Sequence, residues 1–378
     1  MMVQFDETGF HALKSCLGSE PGLTSTHPPI LDQLQERVER VPLTLLLIAA
    51  NLLVFALMLS HGAGLWHSSN SVQLAWGANF GPATKDGEWW RLGSALFLHF
   101  GILHLAMNML SLWEGGRLVE RMYGWGRFAL IYFGSGLCGN LLSLIAQGDQ
   151  AVSGGASGAI FGVYGALMVY LWRERGHFER AEFKWLFWGV VSFSVVTIAL
   201  GLQVTGIDNA AHIGGLLGGL LCGVAFFPGG GRGRGHAAIA LVACLSLLLV
   251  SIPAPRYRWS EEMQARGMIS ELLGEDARIS ARWDALLNHA GTADFSFDQL
   301  AGSIETEVIS PYEQSFEQLA KLRLNPNAPS ATALESLRNY VGMRRDASRA
   351  LAEGLRAKDP ARIREALRRA SRARPPKP

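Results

Sequence analysis

The chain has 378 residues, 49% hydrophobic and only 17% charged, with a formal net charge of +2. A soluble domain carries nearer a quarter charged residues, so the composition argues against an ordinary soluble enzyme. The near-neutral balance says little about partners, and no nucleic acid is expected among them. Of four cysteines, Cys16 lies in a polar segment and Cys138, Cys222 and Cys244 lie inside apolar runs. That scatter gives neither a disulfide framework nor a metal-binding spacing; small buried core residues are the simpler reading.

Residues 1–42 form a polar segment containing Arg37 and Arg40. The first apolar run starts only behind it, near Leu43, so it reads as a membrane span and not as a cleavable signal. Seven apolar segments follow, near 43–60, 98–116, 128–147, 157–172, 185–201, 209–227 and 236–253. The second lies within a longer apolar stretch that starts near Leu92. Arg117, Arg121 and Arg127 follow the second segment, Arg173, Arg175, Arg180 and Lys184 the fourth, and Arg232 and Arg234 the sixth. The positive-inside rule then places the N-terminus in the cytoplasm and the region after the seventh span outside. Residues 228–235 read as a flexible Gly/Arg linker. The span at 236–253 is thus an appendage to a six-span unit over 43–227. Residues 254–378 are charged and helical in pattern, a soluble region. Asn325-Pro326 and Ala328-Pro329 mark a break, and Asp359-Pro360 is a cap and first-turn signal for a last basic helix. Arg372 to Pro378 reads as a tail.

The chemistry-bearing residues sit at helix mouths. Ser157 opens the fourth span within Gly154-Gly155-Ala156-Ser157-Gly158. From Ser157 to Trp172 the helix spans about 24 Å, less than a hydrocarbon core of roughly 30 Å. Ser157 therefore falls below the outer surface, preceded by non-helical backbone. Such backbone is tolerated in a membrane only where protein buries it or a watery cavity meets it. From this segment alone Ser157 is equally a helix cap or a nucleophile. A soluble hydrolase elbow fits worse, since Ala159 replaces its second glycine and no strand precedes.

His212 opens the sixth span, followed by Gly214, Gly215, Gly218, Gly219 and Gly223, while the fourth carries Gly158, Gly162 and Gly165. Small residues at this spacing let two membrane helices approach closely, as a serine and an imidazole sharing a hydrogen bond require. Asp208, four residues before His212, either orients the imidazole or caps the helix; a cap is the better reading, leaving a dyad. His104 and Asn108 share one face of the second span. They serve either an interhelical contact or the oxyanion of a tetrahedral intermediate, together with the Ser157 N–H. His99, His104 and His212 lack a carboxylate or thiolate to complete a metal site, so neither metal nor cofactor is expected.

These residues, with Trp90-Arg91, Glu120-Arg121-Met122-Tyr123-Gly124, Gly155-Ala156-Ser157-Gly158 and Ala211-His212-Ile213-Gly214-Gly215, resemble the rhomboid family of intramembrane serine proteases over about residues 40–227. The resemblance implies an all-α polytopic fold, a six-helix rhomboid-like bundle with an appended seventh transmembrane helix over 236–253; it does not extend to 254–378, whose helical soluble character rests on its residue pattern alone. It implies Ser157 as nucleophile, His212 as general base, and His104 and Asn108 as oxyanion-hole donors. It gives His99, Trp90, Arg91 and Glu120 structural roles. The expected substrates are membrane proteins with a helix-destabilised transmembrane segment, and the expected site is a bacterial inner membrane. The alternative is a non-proteolytic rhomboid-like protein that binds or triages membrane clients. Ser157 and His212 together favour the protease, since inactive relatives typically lack one or both. A transporter would want inverted repeats and charged residues within spans. Oligomeric state and the role of 254–378 stay open.

Overall fold

A computed structural model describes residues 40–204, 206–229, 233–289 and 296–375. Cys16, nearly all of the N-terminal segment and the end of the expected tail lie outside the described residues. Helix α1 (Pro42–Ser60) starts with proline at its first position, where a missing N–H costs nothing. Its free first-turn donors meet a buried acid. Glu120 accepts from Leu43 N at 2.9 Å, and from Thr44 N and Thr44 Oγ1 at 2.7 Å each.

The first loop folds into short pieces: α2 (Asn70–Ala75), β1 (Asn79–Phe80), α3 (Gly81–Lys85) and α4 (Arg91–Ser94), with a 3₁₀ turn at Ala95–Phe97. The apolar stretch beginning near Leu92 is not one rod. Arg91–Phe97 and Ile102–Tyr123 meet at 92°. Gly101 stands at the corner with its backbone against the Trp66 carbonyl, where a Cβ would come to 2.2 Å from the oxygen. Beyond the corner run α5 (Ile102–Ser111), a π-type turn at Leu112–Gly116 and α6 (Arg117–Tyr123). The second apolar helix thus occupies 102–123 where 98–116 was expected, and Arg117 and Arg121 are helical. Tyr123 ends it, its hydroxyl 3.1 Å from the carbonyls of both Ala166 and Gly223.

Then come α7 (Trp125–Gln147), β2 (Val152–Ser153), α8 (Ser157–Glu174), α9 (Arg180–Gln203) and α10 (Asn209–Ala225). Helix α10 is wedged between α7 and α8 on glycine. A Cβ on Gly215 would lie 1.9 Å from the Gly158 carbonyl oxygen, and one on Gly219 2.0 Å from that of Gly162. On the other side, a Cβ on Gly218 would lie 2.8 Å from the Cys138 Cβ. Cys138 and Cys222 are buried at these contacts.

Among the described residues, α1, α7 and α9 are long and apolar enough to cross a membrane, and the bent pair makes a fourth if taken as one span. The sequence reading of seven spans is thus not reproduced by length and hydropathy alone. The reason is physical: α10 and the apolar helical stretch Ala238–Val250 are short, and α8, at 18 residues, is diluted by glycines and ends in Arg173 and Glu174. Helix α11 (Gly233–Val250) starts inside the expected 228–235 linker, of which 230–232 lie outside the described residues.

The C-terminal region packs α12 (Trp259–His289), α13 (Phe297–Ile304), a π-type turn at Glu305–Ile309, α14 (Ser310–Lys321), α15 (Ala331–Arg356) and α16 (Pro360–Arg372). Leu300, Ile304, Leu319, Leu337 and Leu351 form its core. Buried Asp276 accepts hydrogen bonds from Tyr312 at 2.8 Å and Tyr340 at 2.9 Å. Asp359 caps α16 as its sequence predicts, accepting from Ala361 N at 2.9 Å. This region sits on the first loop. Trp259 meets Phe80 edge-on at 5.1 Å, and Asp86 accepts from Ser260 N at 3.0 Å and Ser260 Oγ at 2.9 Å.

Candidate active site

The segment leading into α8 is pinned from the first loop. Strand β2 pairs antiparallel with β1, Ser153 opposite Asn79 and Val152 opposite Phe80. Gly155 N donates to Ala95 O at 2.8 Å. Gly155 has φ +146°, and a Cβ there would sit 2.9 Å from His104 Cε1 and 3.7 Å from Ser157 Oγ. Both backbone conformation and space therefore demand glycine beside the serine. The loop is held to α7 as well, since Asn140 Nδ2 donates to Leu92 O at 2.7 Å and Asn79 Nδ2 to Asn140 O at 3.1 Å. Ser157 emerges from this frame half-buried, at the first position of α8.

His212 lies in the first turn of α10 and is 6% exposed. Its Nε2 is 2.9 Å from Ser157 Oγ. The close approach of Gly215 to Gly158 brings the two helix mouths within this reach. Its ring stacks on Phe161, centroids 4.4 Å apart and planes 13° from parallel. Its Nδ1 meets no hydrogen-bond partner among the described residues. Asp208 caps α10 through Ala211 N at 3.0 Å, and also accepts from Ser143 Oγ at 2.5 Å and Ser153 Oγ at 2.6 Å.

The other expected residues are placed as follows. His104 is brought to the serine: its ring lies against Gly155, and its Nδ1 accepts from Phe100 N at 3.4 Å. Asn108, one turn on, donates its amide to His104 O at 2.8 Å, so in this conformation that N–H is spent within α5. His99 is fully buried, its ring 5.0 Å from that of His104, and its carbonyl accepts from Gln73 Nε2 at 2.9 Å. Arg91 ties the first loop together, donating to Glu88 at 2.5 Å and to Leu74 O at 2.8 Å. Its guanidinium covers the Trp90 ring at 4.8 Å. Trp90 in turn fills the space where Gly77 lacks a side chain. Glu120 lies away from the serine, at the α1 terminus. Two contributors were not singled out in the sequence, Phe161 and Ser153. Phe161 was findable, because four residues after Ser157 puts it on the serine's face of the helix.

The arrangement has the parts of an acyl-transfer site: a hydroxyl, a basic nitrogen in contact with it, and helix-terminal N–H groups beside them. A family model described as the rhomboid domain matches residues 86–229. The chain is 34% identical over 283 residues to the rhomboid protease GluP of Bacillus subtilis, covering 74% of this chain and 53% of that one. It is 32% identical over 207 residues to the rhomboid protease AarA of Providencia stuartii, covering 49% of this chain and 73% of the relative. It is also 37% identical over 166 residues to RHOMBOID-like protein 4 of Arabidopsis thaliana, covering 41% of this chain and 39% of the relative. The match thus spans about half of GluP's own length. The chain belongs to the rhomboid family and is an integral membrane protein.

Proposed function

We propose that this chain is a serine endopeptidase that hydrolyses peptide bonds in or beside transmembrane segments of other membrane proteins, with Ser157 as nucleophile and His212 as general base. The observation that carries the reading is the 2.9 Å contact between Ser157 Oγ and His212 Nε2 at the mouths of two helices packed on glycine. His212 Nε2 takes the hydroxyl proton as Ser157 Oγ attacks the scissile carbonyl. The tetrahedral oxyanion is held by the Ser157 N–H, one of the first-turn donors a helix leaves unpaired, and by His104. Asn108 joins by rotating its amide away from His104 O. Protonated His212 gives its proton to the leaving amine, and water then hydrolyses the acyl-enzyme by the same route reversed. The unpartnered Nδ1 supports a dyad, with Phe161 holding the ring that a carboxylate would otherwise orient.

The bent first loop and the glycine-lined start of α8 supply irregular backbone at membrane depth, which suits a site that must admit water. A substrate helix must unwind to reach such a site, so segments rich in helix-breaking residues are the expected substrates. The arginine-bearing connections support a cytoplasmic N-terminus and a C-terminal region outside, on the face of the first loop, and together with the low cysteine count they suit a bacterial inner membrane.

The test is cleavage of a single-span model substrate by the purified chain in detergent. Wild type should cut it, and Ser157→Ala and His212→Ala should not. Cleavage that survives Ser157→Ala would overturn the reading.

A further inference from the structure

Asp208 touches three segments that frame the Ser157–His212 pair. Oδ1 accepts from Ala211 N at 3.0 Å, which is the cap of α10. Oδ2 accepts from Ser143 Oγ of α7 at 2.5 Å and from Ser153 Oγ of β2 at 2.6 Å. A cap needs only one oxygen, and Asn or Ser would serve. Three donors spread over both side-chain oxygens call for a group with two acceptor oxygens, a carboxylate, which neither Asn nor Ser supplies. The two ends of this contact lead straight to the reacting atoms. Ser153 runs through Gly154, Gly155 and Ala156 into Ser157. Asp208 O accepts from His212 N at 3.2 Å, so the same residue starts the turn that carries the imidazole.

We infer that Asp208 is a positioning residue: its carboxylate locks the loop before Ser157 to the start of α10 and so holds hydroxyl and imidazole at reacting distance. It acts through Ser153 and the helix cap, since His212 Nδ1 meets no hydrogen-bond partner among the described residues. This rests on the peptidase reading above.

Asp208→Asn breaks this lock. It leaves one acceptor oxygen for two places, so whichever way the amide turns, either the cap N–H or the Ser153 hydroxyl meets an NH₂. The experiment uses the full chain in detergent, with kcat and KM on the model substrate, the rate of Ser157 labelling by a fluorophosphonate and the thermal midpoint. Asp208→Asn and Ser153→Ala should each lower kcat and labelling about tenfold, the scale of losing one hydrogen bond to a charged group. KM should stay near wild type and the chain should stay folded at the assay temperature, even where the midpoint falls by the cost of a stranded hydroxyl, and the double variant should be no slower than the slower single. Wild-type kcat in Asp208→Asn, losses that multiply in the double variant, or a rise in KM alone would overturn the inference. If Asp208→Asn does not fold, Ser153→Ala decides by the same tenfold criterion. Ser157→Ala in the same assay isolates the peptidase reading. If it cleaves, or if wild type neither cleaves nor labels, that reading fails and takes the inference with it.

Discussion

The membrane bundle and the C-terminal region solve the same problem, holding helices together, with opposite residues. In the bundle, α10 meets α7 and α8 through Gly215, Gly218 and Gly219, with backbones nearly in contact. In the C-terminal region, Leu300, Ile304, Leu319 and Leu337 fill the space between helices. The difference follows from the solvent. In lipid an apolar side chain gains nothing by leaving its surroundings, so attraction comes from close backbone approach. In water, removing large apolar side chains from solvent drives assembly. Glycine is therefore the joint along α10, whereas Gly274 in the interior of α12 faces open space and only weakens its helix.

Substituting glycines in the two regions tests that contrast most strongly. Gly215→Val should abolish both the folded bundle and any cleavage, because the new Cβ would strike the Gly158 carbonyl at 1.9 Å. Its check is the thermal midpoint with Ser157 labelling. Gly274→Ala in the interior of α12 meets open space and should stabilise the C-terminal region by about 1 kcal/mol. If Gly215→Val is tolerated, or Gly274→Ala is as damaging, the contrast is wrong.

Next in size is the C-terminal core. Leu337→Ala removes a fully buried side chain and should cost about 2–5 kcal/mol, read by denaturant unfolding of that region, while Ser157 labelling persists. Asp276→Ala should cost about 1–3 kcal/mol per stranded hydroxyl, since Tyr312 and Tyr340 both donate to that carboxylate.

The smallest effect is expected where the two regions touch. Burial raises the Asp86 carboxyl, but the N–H and hydroxyl of Ser260 and the charge of Arg258 outweigh it and hold it below its ordinary range. A depressed carboxylate contributes above its unfolded value, about 4. The contribution fades as pH falls below that, through the folded value. Docking of the C-terminal region should accordingly be constant at neutral pH and loosen below about pH 4, read as faster proteolysis between α11 and α12. Asp86→Ala should remove that pH dependence.

What was readable in the sequence differs between the regions too. The glycine rows around Gly158 and Gly215 announced that two helices would meet, and Asp208 and Asp359 announced caps, because each is a local rule. The corner at Gly101 was not readable. It depends on the Trp66 carbonyl, brought there by the folded first loop. Beyond that corner the helix runs over 102–123, whereas the apolar segment was expected near 98–116. The anchoring of Thr44 by Glu120, of Ser153 by Asp208 and of Trp259 against Phe80 also escaped, since each joins residues far apart in the chain with no periodic signature. Asn108 is instructive in another way. Its place on the face of His104 was legible, but its bond to the His104 carbonyl is a choice of rotamer that no spacing reveals.

The central claim is that the Ser157–His212 contact is a working nucleophile and base. A fluorophosphonate that reacts with activated serines, applied to folded wild type, His212→Ala and Ser157→Ala, tests it most directly. The account predicts labelling of wild type at Ser157, labelling slowed at least a hundredfold in His212→Ala, roughly the scale of losing a general base, and none in Ser157→Ala. Equal labelling of wild type and His212→Ala would contradict it.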